Sequence, residues 1–417
     1  MAQTVANMAA VLKDVWTSDR VQKQFEDKNQ PLGRLESFKG TMIGAQAQVP
    51  ILAGRSGGYT SVGSAGGTLN PAGQQPVAQA TYTLPYHWFQ VQIDAAALMQ
   101  SSDKNTSVIK AKDLEIEQGI ENTKHQMTRQ FVTNGDGIVA SCASGGASAT
   151  VQLTPQASEG NTAYGYSAIA RNWIFPGAVV DIGTTADTDA LATGVTVTAV
   201  SGSATAPTFT TGTSVTTTAG THFVYIANPN SATLANTEMN GLRQIVNTTG
   251  AFGGLNPATA GQEYWAAAQR DTSTTVLSLD LLVGLQRSIK QATGATQQAV
   301  WTSYKQEAAY YSLLQNQSRF SGDSGLSAGN VSSPTFNGMP VEAFADILDT
   351  DLYCLTLSDL LKVTGSQDKP QWASDLQGAT TGQLWSAGTT SFVDGLCYPL
   401  QLGASRRNSH AAATALL

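Results

Sequence analysis

Between residues 40 and 93 of this 417-residue chain, Arg55 is the only Asp, Glu, Lys or Arg. Within that stretch Ala45-Gln46-Ala47-Gln48-Val49 alternates, and alternation returns from Tyr82 to Ile93, notably in Phe89-Gln90-Val91-Gln92-Ile93. Apolar and polar residues repeating with period two mark strands. Between the two runs lie Gly54, Gly57, Gly58, Gly63, Gly66, Gly67 and Gly73. Two strand runs joined by a glycine-rich centre predict a long hairpin, whose arms of roughly 15 to 20 residues would reach on the order of 50 to 65 Å if fully extended. An isolated hairpin is marginal in water, so this ribbon needs a partner surface.

After the ribbon comes the strongest helical signal, over residues 105–133. Ile109, Ile116, Ile120, Met127 and Phe131 follow one another at spacings of 7, 4, 7 and 4, which keeps them on one helical face. Lys112, Glu117, Glu121, Lys124 and Gln130 fill much of the remainder, and Asn134-Gly135-Asp136-Gly137 stops the helix. The expected rod is roughly 40 Å long, with the apolar stripe as its core contact.

Residues 1–39 read as an arm with a helical patch around Val11, Leu12, Val15 and Trp16 and nearly balanced charges. Residues 176–227 are rich in Thr and Val, with strand runs at 178–182, 195–200 and 223–226. A helix over 278–292 presents Leu279, Leu282, Val283, Gln286 and Ile289. Gln298 to Trp301 reads as a strand, and Ser303-Tyr304-Lys305-Gln306 as a capping box opening a helix through Asn316. Asn337-Gly338 marks a hairpin turn, and Leu352 to Leu357 a strand. The fold class is α+β, without an internal repeat.

Composition narrows function. Charged residues are 13% of the chain, against roughly 25% in an ordinary soluble domain, and the net charge is -7. An acidic chain disfavours tight nucleic-acid binding, which needs a basic footprint. Cys142, Cys354 and Cys397 form no CxxC, which argues against a disulfide framework or zinc ribbon and for a reducing compartment. No stretch follows GxxxxGK[ST], HExxH or GxSxG, nor GxGxxG opening a helix. Gly322-Asp323-Ser324-Gly325 reads as a loop rather than a nucleophile segment. Asp187-Thr188-Asp189 and Asp349-Thr350-Asp351 read as turns rather than calcium ligands, and His87, His125, His222 and His410 lack ligand spacing. The expectation is no enzyme, no metal, no cofactor, and no membrane span or signal peptide.

In order, an arm, an uncharged long hairpin, a long helix ending in Asn134-Gly135-Asp136-Gly137, a β-rich unit and a second α+β region resemble the major capsid proteins of tailed bacteriophages, with the Hong Kong 97-type fold. The passage from Glu238-Met239-Asn240-Gly241-Leu242 to Asn256-Pro257 and the turn Phe336-Asn337-Gly338-Met339-Pro340-Val341 add to the likeness. The resemblance implies an N-terminal arm (1–39) and an E-loop hairpin (40–93). It implies a peripheral domain (94–235) with spine helix 105–133 and a β-rich unit at 176–227. An axial domain (236–400), with possible return strands to the peripheral domain, and a C-terminal tail (401–417) complete it.

Its E-loop would touch an adjacent subunit through Arg55, Tyr59, Tyr82, Trp88 and Val91, while Ile109, Ile116, Ile120, Met127 and Phe131 form the spine-helix core. Implied partners are further copies, as hexamers and pentamers of an icosahedral shell, and packaged double-stranded DNA in weak nonspecific contact. A portal, a separate scaffolding protein and a possible decoration protein complete them. The virion, assembled in the host cytoplasm, is the implied location. Encapsulin-like compartments, which resemble the same fold, and phage tail or surface-layer proteins are the alternatives. Some relatives join subunits through an E-loop lysine. Here no lysine lies between Lys39 and Lys104, so the resemblance implies a shell held by noncovalent contacts.

Overall fold

A computed structural model of the chain describes residues 30–38, 42–44, 46–54, 57–61, 68–71, 73–94, 107–159, 164–184, 190–227, 238–318, 334–365, 371–372, 384–385 and 391–417. The ribbon forms, but its second arm differs from the predicted one. Strands β1 (Met42–Ile43), β2 (Gln46–Leu52) and β3 (Val77–Thr83) make an antiparallel sheet, with β2 and β3 in register from Gln46↔Thr83 to Leu52↔Val77. The alternating run from Tyr82 to Ile93 breaks at Leu84-Pro85, and β4 (Tyr86–Asp94) leaves the ribbon to pair with β19 (Ser391–Ala404). Pro85 has no N–H to donate and a fixed φ, so one ladder does not run through it.

The root of the ribbon is not free either. Ala47, Val49, Ile51, Ala80 and Tyr82 are buried on one face within the chain, while Gln46, Pro50, Leu52, Val77, Gln79 and Thr83 are exposed. Tyr82, expected at an intersubunit contact, is 1% exposed and donates its hydroxyl to the Ala404 carbonyl at 2.6 Å. Its ring lies 5.3 Å from that of Phe252, so it belongs to the core of its own chain.

Helix α1 (Ser107–Val132) matches the predicted rod. Ile120, Met127 and Phe131 are buried, and the side chains of Ile109 and Ile116 lie outside the described residues. Lys124 and Gln130, which periodicity placed on the polar side, are buried as well, together with Thr128 and Arg129. The last turns are thus enclosed on every side. The Phe89 ring of β4 packs against α1 at Gly119, where an added Cβ would fall 1.7 Å from it. Only glycine lets strand and helix approach so closely.

The second sheet contains β5 (Ile138–Ser141), β6 (Gly146–Gln152), β7 (Val179–Thr184), β8 (Ala190–Ser201), β9 (Thr208–Thr217) and β10 (His222–Ile226), ordered β5-β10-β7-β8-β9-β6 and wholly antiparallel. An isolated bridge Cys142↔Leu153 brings the ends of β5 and β6 together, so the sheet curls. Residues 176–227 thus share one sheet with strands from 138–152. Val180, Ile182, Val197, Phe209 and Val224 fill its interior.

Strands β11 (Gln269–Asp271), β12 (Ala299–Thr302), β13 (Thr335–Phe336), β14 (Met339–Ala343), β15 (Leu352–Leu355) and a late β20 (Ala411–Ala413) form a mixed sheet in the order β11-β20-β15-β12-β14-β13. Helices α2 (Leu279–Thr293) and α3 (Tyr304–Ser318) belong to this region, with a core of Leu282, Leu285, Ile289, Tyr310 and neighbours. Ser278 caps α2 by accepting from Leu281 N at 3.2 Å, and Gly294 closes it at φ 69. Val283, predicted for the buried stripe, is 49% exposed, and Leu285 takes its place. Ser303 accepts from Gln306 N at 3.4 Å, but the Gln306 side chain donates to the carbonyls of Asp349 and Leu417, so only half the capping box forms. Asn337 and Gly338, at φ 47 and 82, turn the hairpin between Phe336 and Met339.

Strands β16 (Leu360–Thr364), β17 (Gln371–Trp372) and β18 (Leu384–Trp385) all pair with β19, completing a sheet that β4 joins. One large core unites the ribbon root, the end of α1, the curled sheet and β19. The segments 187–189 and 322–325, weighed above for calcium and nucleophilic chemistry, lie outside the described residues. Among the described residues no helix is long and apolar enough to cross a membrane.

Candidate functional site

Among the described residues, large apolar side chains are exposed on the ribbon and on β4, as well as at Val276, Tyr304 and Leu417. At the far end of the ribbon, Leu52 and Val77 face each other 62% and 65% exposed, with Tyr59 at 83% and Leu69 at 71%. Asn70 ties that tip together, its N–H donating to Thr60 Oγ1 and its side chain to the Tyr59 carbonyl. The other surface is the outward face of β4, where Tyr86 and Trp88 are more than half exposed beside exposed Gln90. His87 and Phe89 point the other way, His87 toward the Leu400 carbonyl and Phe89 toward α1. Of the proposed contact residues, Tyr59 sits on the tip, Trp88 on β4, and Tyr82 in the core. Val91 pairs with Asp394 in the β4–β19 ladder, its side chain undescribed, and Arg55 lies outside the described residues.

Inside, three arginines join the elements that carry these surfaces. Arg129 at the end of α1 pairs with Glu238, while Met239 N donates to Gln130 Oε1 at 3.1 Å. Asn240 donates from its N–H to Gln401 Oε1 and from its side chain to the Leu402 carbonyl, linking the same passage to β19. Arg243 makes a two-pronged contact with Asp351, Nε to Oδ2 at 2.7 Å and Nη2 to Oδ1 at 2.6 Å, and both side chains are fully buried. Tyr353 donates to the same carboxylate at 2.5 Å, and Arg243 donates to the Tyr164 hydroxyl at 3.2 Å. Burial, reinforced by Asp351, raises the Tyr353 hydroxyl well above its usual range. This network pins the curled sheet to the mixed sheet.

Among the described residues Arg407 meets carbonyls rather than a carboxylate: it donates to those of Gln244, Ile245, Gly250 and Trp265. Gln244 and Ile245 belong to the helical turn Leu242–Ile245, so the guanidinium caps its orphan C-terminal carbonyls. Burial lowers Arg407 to about 10.

Nothing in this arrangement gathers catalytic groups. Asp349 accepts from Arg171 and Asp351 from Arg243, so both carboxylates serve ion pairs. Among the described residues no group of three or more His, Cys, Asp or Glu side chains could hold a metal ion. Cys142, Cys354 and Cys397 are buried free thiols, with burial raising Cys142 and Cys354 to about 12. A cleft lined by Gln156, Glu159, Tyr164, Lys305, Leu348, Asp349 and Thr350 holds a carboxylate already committed, since Glu159 accepts from Gly165 N, Ser167 N and Ser167 Oγ.

No sequence-family profile and no curated protein matches the chain. Solved structures do. The subunit in the cyanophage A-1(L) capsid asymmetric unit is similar over 93% of this chain and 92% of its own, with TM-score 0.55 and 13% identity. This chain has a capsid-like fold of the Hong Kong 97 type. Two looser likenesses add nothing to that assignment. They are the native GTA particle capsid (TM-score 0.48, 10% identity, 93% of this chain and 90% of that one) and the holo-SrpI encapsulin of Synechococcus elongatus PCC 7942 (0.42, 8%, 93% and 87%).

Within the capsid-like fold, the sequence reading missed Arg129, Glu238, Arg243, Asp351 and Arg407. The passage containing Glu238-Met239-Asn240-Gly241-Leu242 was singled out, yet a charge in a loop carries no periodic sign of burial. One signal was present: charges are so sparse here that each one inside a motif-bearing passage invites a partner.

The buried histidines make stability depend on pH. Burial lowers His410 to about 3 and His87 to about 4, from 6.5. Below 6.5 the unfolded chain binds protons that the native state refuses, so stability is full above 6.5 and is lost as pH falls toward those values. Each histidine contributes a slope of about 1.4 kcal/mol per pH unit in that window. Asp136 and Asp346, raised chiefly by burial, act in the opposite sense at the acid end. Urea unfolding from pH 7 to 4.5 is expected to show His410→Gln with a flatter profile than wild type by about one proton; parallel profiles would refute this.

Proposed function

We propose that this chain is the major subunit of an icosahedral shell enclosing double-stranded DNA. The supporting observation is the capsid-like fold shared over 93% of the chain with a phage capsid subunit. In this reading residues 40–83 are the E-loop, α1 is the spine of a peripheral domain that includes the curled sheet, and the mixed sheet with α2 and α3 is the axial domain around hexamer and pentamer axes. Strand β19 returns from the axial side to the peripheral side. The role is structural rather than catalytic, with no cofactor. Many individually modest contacts add up through multivalency, and a ribbon whose one charge is Arg55 seats with little desolvation of ions. A net charge of -7 keeps the wall from gripping DNA, whose contact is weak and nonspecific. A portal, a separate scaffolding protein and a possible decoration protein are the remaining partners, and the virion, assembled in the host cytoplasm, is the location.

Negative-stain microscopy of particles isolated from producing cells, with nuclease protection, tests the reading. Closed icosahedral shells protecting double-stranded DNA are expected. Shells filled with protein and free of nucleic acid would instead make this a protein-enclosing compartment, and tubes or planar lattices would end the shell reading.

A further inference from the structure

We propose that the Asn337-Gly338 turn is a self-modification site, at which the Asn337 side chain loses its amide nitrogen and becomes aspartate or isoaspartate, with water as the only co-reactant. The chemistry belongs to the folded chain itself and does not depend on the shell reading.

Asn-Gly occurs three times in the chain, at Asn134-Gly135, Asn240-Gly241 and Asn337-Gly338. In such a step the backbone nitrogen of the glycine attacks Cγ of the asparagine. A bond forms between that nitrogen and Cγ, the bond from Cγ to Nδ2 breaks, and the proton of the glycine N–H leaves with Nδ2 as ammonia. Water then opens the five-membered imide at either carbonyl, giving aspartate or, with the backbone rerouted through Cβ and Cγ, isoaspartate. Glycine favours the attack because no Cβ shields its nitrogen, and the asparagine backbone must rotate until that nitrogen faces Cγ. By sequence alone the three steps are equivalent.

The fold separates them. Gly135 is buried, and a Cβ there would stand 2.9 Å from both Asn240 Cα and the Met239 carbonyl oxygen. Asn240 is tied through its N–H to Gln401 and through its side chain to the Leu402 carbonyl, and Gly241 lies against the Thr133 carbonyl. Both steps sit where the end of α1 meets the Glu238 passage, and neither backbone rotates without parting the two. Asn337 and Gly338 are exposed, and a Cβ at Gly338 would meet nothing within 4 Å. The β13–β14 ladder pairs Phe336 with Met339 and leaves both turn residues outside it. Strand β13 is two residues long and outermost in its sheet. Asn337 is held at φ 47, a left-handed conformation disfavoured for a residue with a side chain, so rotation out of it meets less resistance. One contact restrains its side chain: Nδ2 donates to Gln286 Oε1 of α2 at 2.7 Å. Conversion puts an oxygen in place of Nδ2, so the hairpin keeps that tie to α2 only if the Gln286 amide turns over.

Incubating the full-length folded chain in mildly alkaline buffer, with peptide mapping by mass spectrometry at intervals, tests this. The peptide carrying residue 337 should gain the mass difference between OH and NH2 at least about tenfold faster than those carrying 134 or 240, because an enclosed step reacts only through larger openings of the chain. In urea, where nothing encloses any of them, the three steps should convert at similar rates. Asn337→Gly accepts the same positive φ, so it should melt like wild type and lack the heavier species at this turn. If that variant melts early, the wild-type map alone decides. Conversion of Asn134 or Asn240 in the folded chain as fast as that of Asn337 would overturn the proposal. So would a residue 337 that stays unchanged in the folded chain over the time in which the urea-unfolded chain converts.

Discussion

Arg243→Met is expected to lower stability by about 3 to 5 kcal/mol, because it leaves Asp351 as a buried carboxylate without its cation. Asp351 is 0% exposed and keeps only hydroxyl donors, from Tyr353 and Thr350, once the guanidinium is gone. Removing one partner of a buried pair is worse than removing both, since the uncompensated charge carries the penalty. The double variant Arg243→Met with Asp351→Leu should therefore recover at least half of the loss. Urea titrations of the three proteins test this. A double variant as unstable as the sum of the singles would mean that the pair contributes little beyond local packing. The consequence reaches beyond the pair, since Arg243 joins Tyr164 beside the curled sheet to Asp351 beside the mixed sheet. In the shell proposed above, a chain whose halves hinge would present its surfaces at variable angles, so fewer closed particles are expected from Arg243→Met even below its melting temperature.

The elements legible in sequence are those with a local period or a local turn. Helix α1 was bounded to within two residues by its isoleucine spacing and its Asn134-Gly135-Asp136-Gly137 stop, and the Asn337-Gly338 hairpin came from φ values that few other residues adopt. Strand β9 was missed because Thr208–Thr217 is mostly threonine and its pairing with β6 and β8 is interrupted by bulges, which erase a two-residue period. The split of Tyr82 to Ile93 between two sheets was partly legible, since Pro85 sits in the middle of the run. The burial of Tyr82 was not, because its partners, Phe252 and Ala404, are distant in sequence. Trp88 reads from the sequence as part of the hairpin, and only the ladder with β19 shows that it stands apart from the ribbon. Long-range pairing decided each of these outcomes, and no local window contains it.

Gly241→Ala should be the most damaging single methyl in the described chain. A Cβ there would stand 1.8 Å from the Thr133 carbonyl oxygen and 2.7 Å from that of Gln130, both backbone atoms at the end of α1. The glycine has φ -110, a conformation alanine adopts freely, so the expected loss is purely steric. Backbone cannot rotate away as a side chain can, and the passage from Glu238 to Ile245 would have to lift off the helix, taking the Asn240 contacts to β19 with it. A loss of about 3 kcal/mol or more is expected, at the upper end for overpacking. Gly284 in α2 is the matched control. A Cβ there meets nothing within 4 Å, so Gly284→Ala should stabilise the chain by about 0.5 to 1 kcal/mol through helix propensity alone. Thermal melts of the two variants should therefore move in opposite directions. A Gly241→Ala protein that melts with wild type would show that the end of α1 and the Glu238 passage are not in backbone contact, and with that the link from helix α1 to β19 through Asn240 would lose its physical basis.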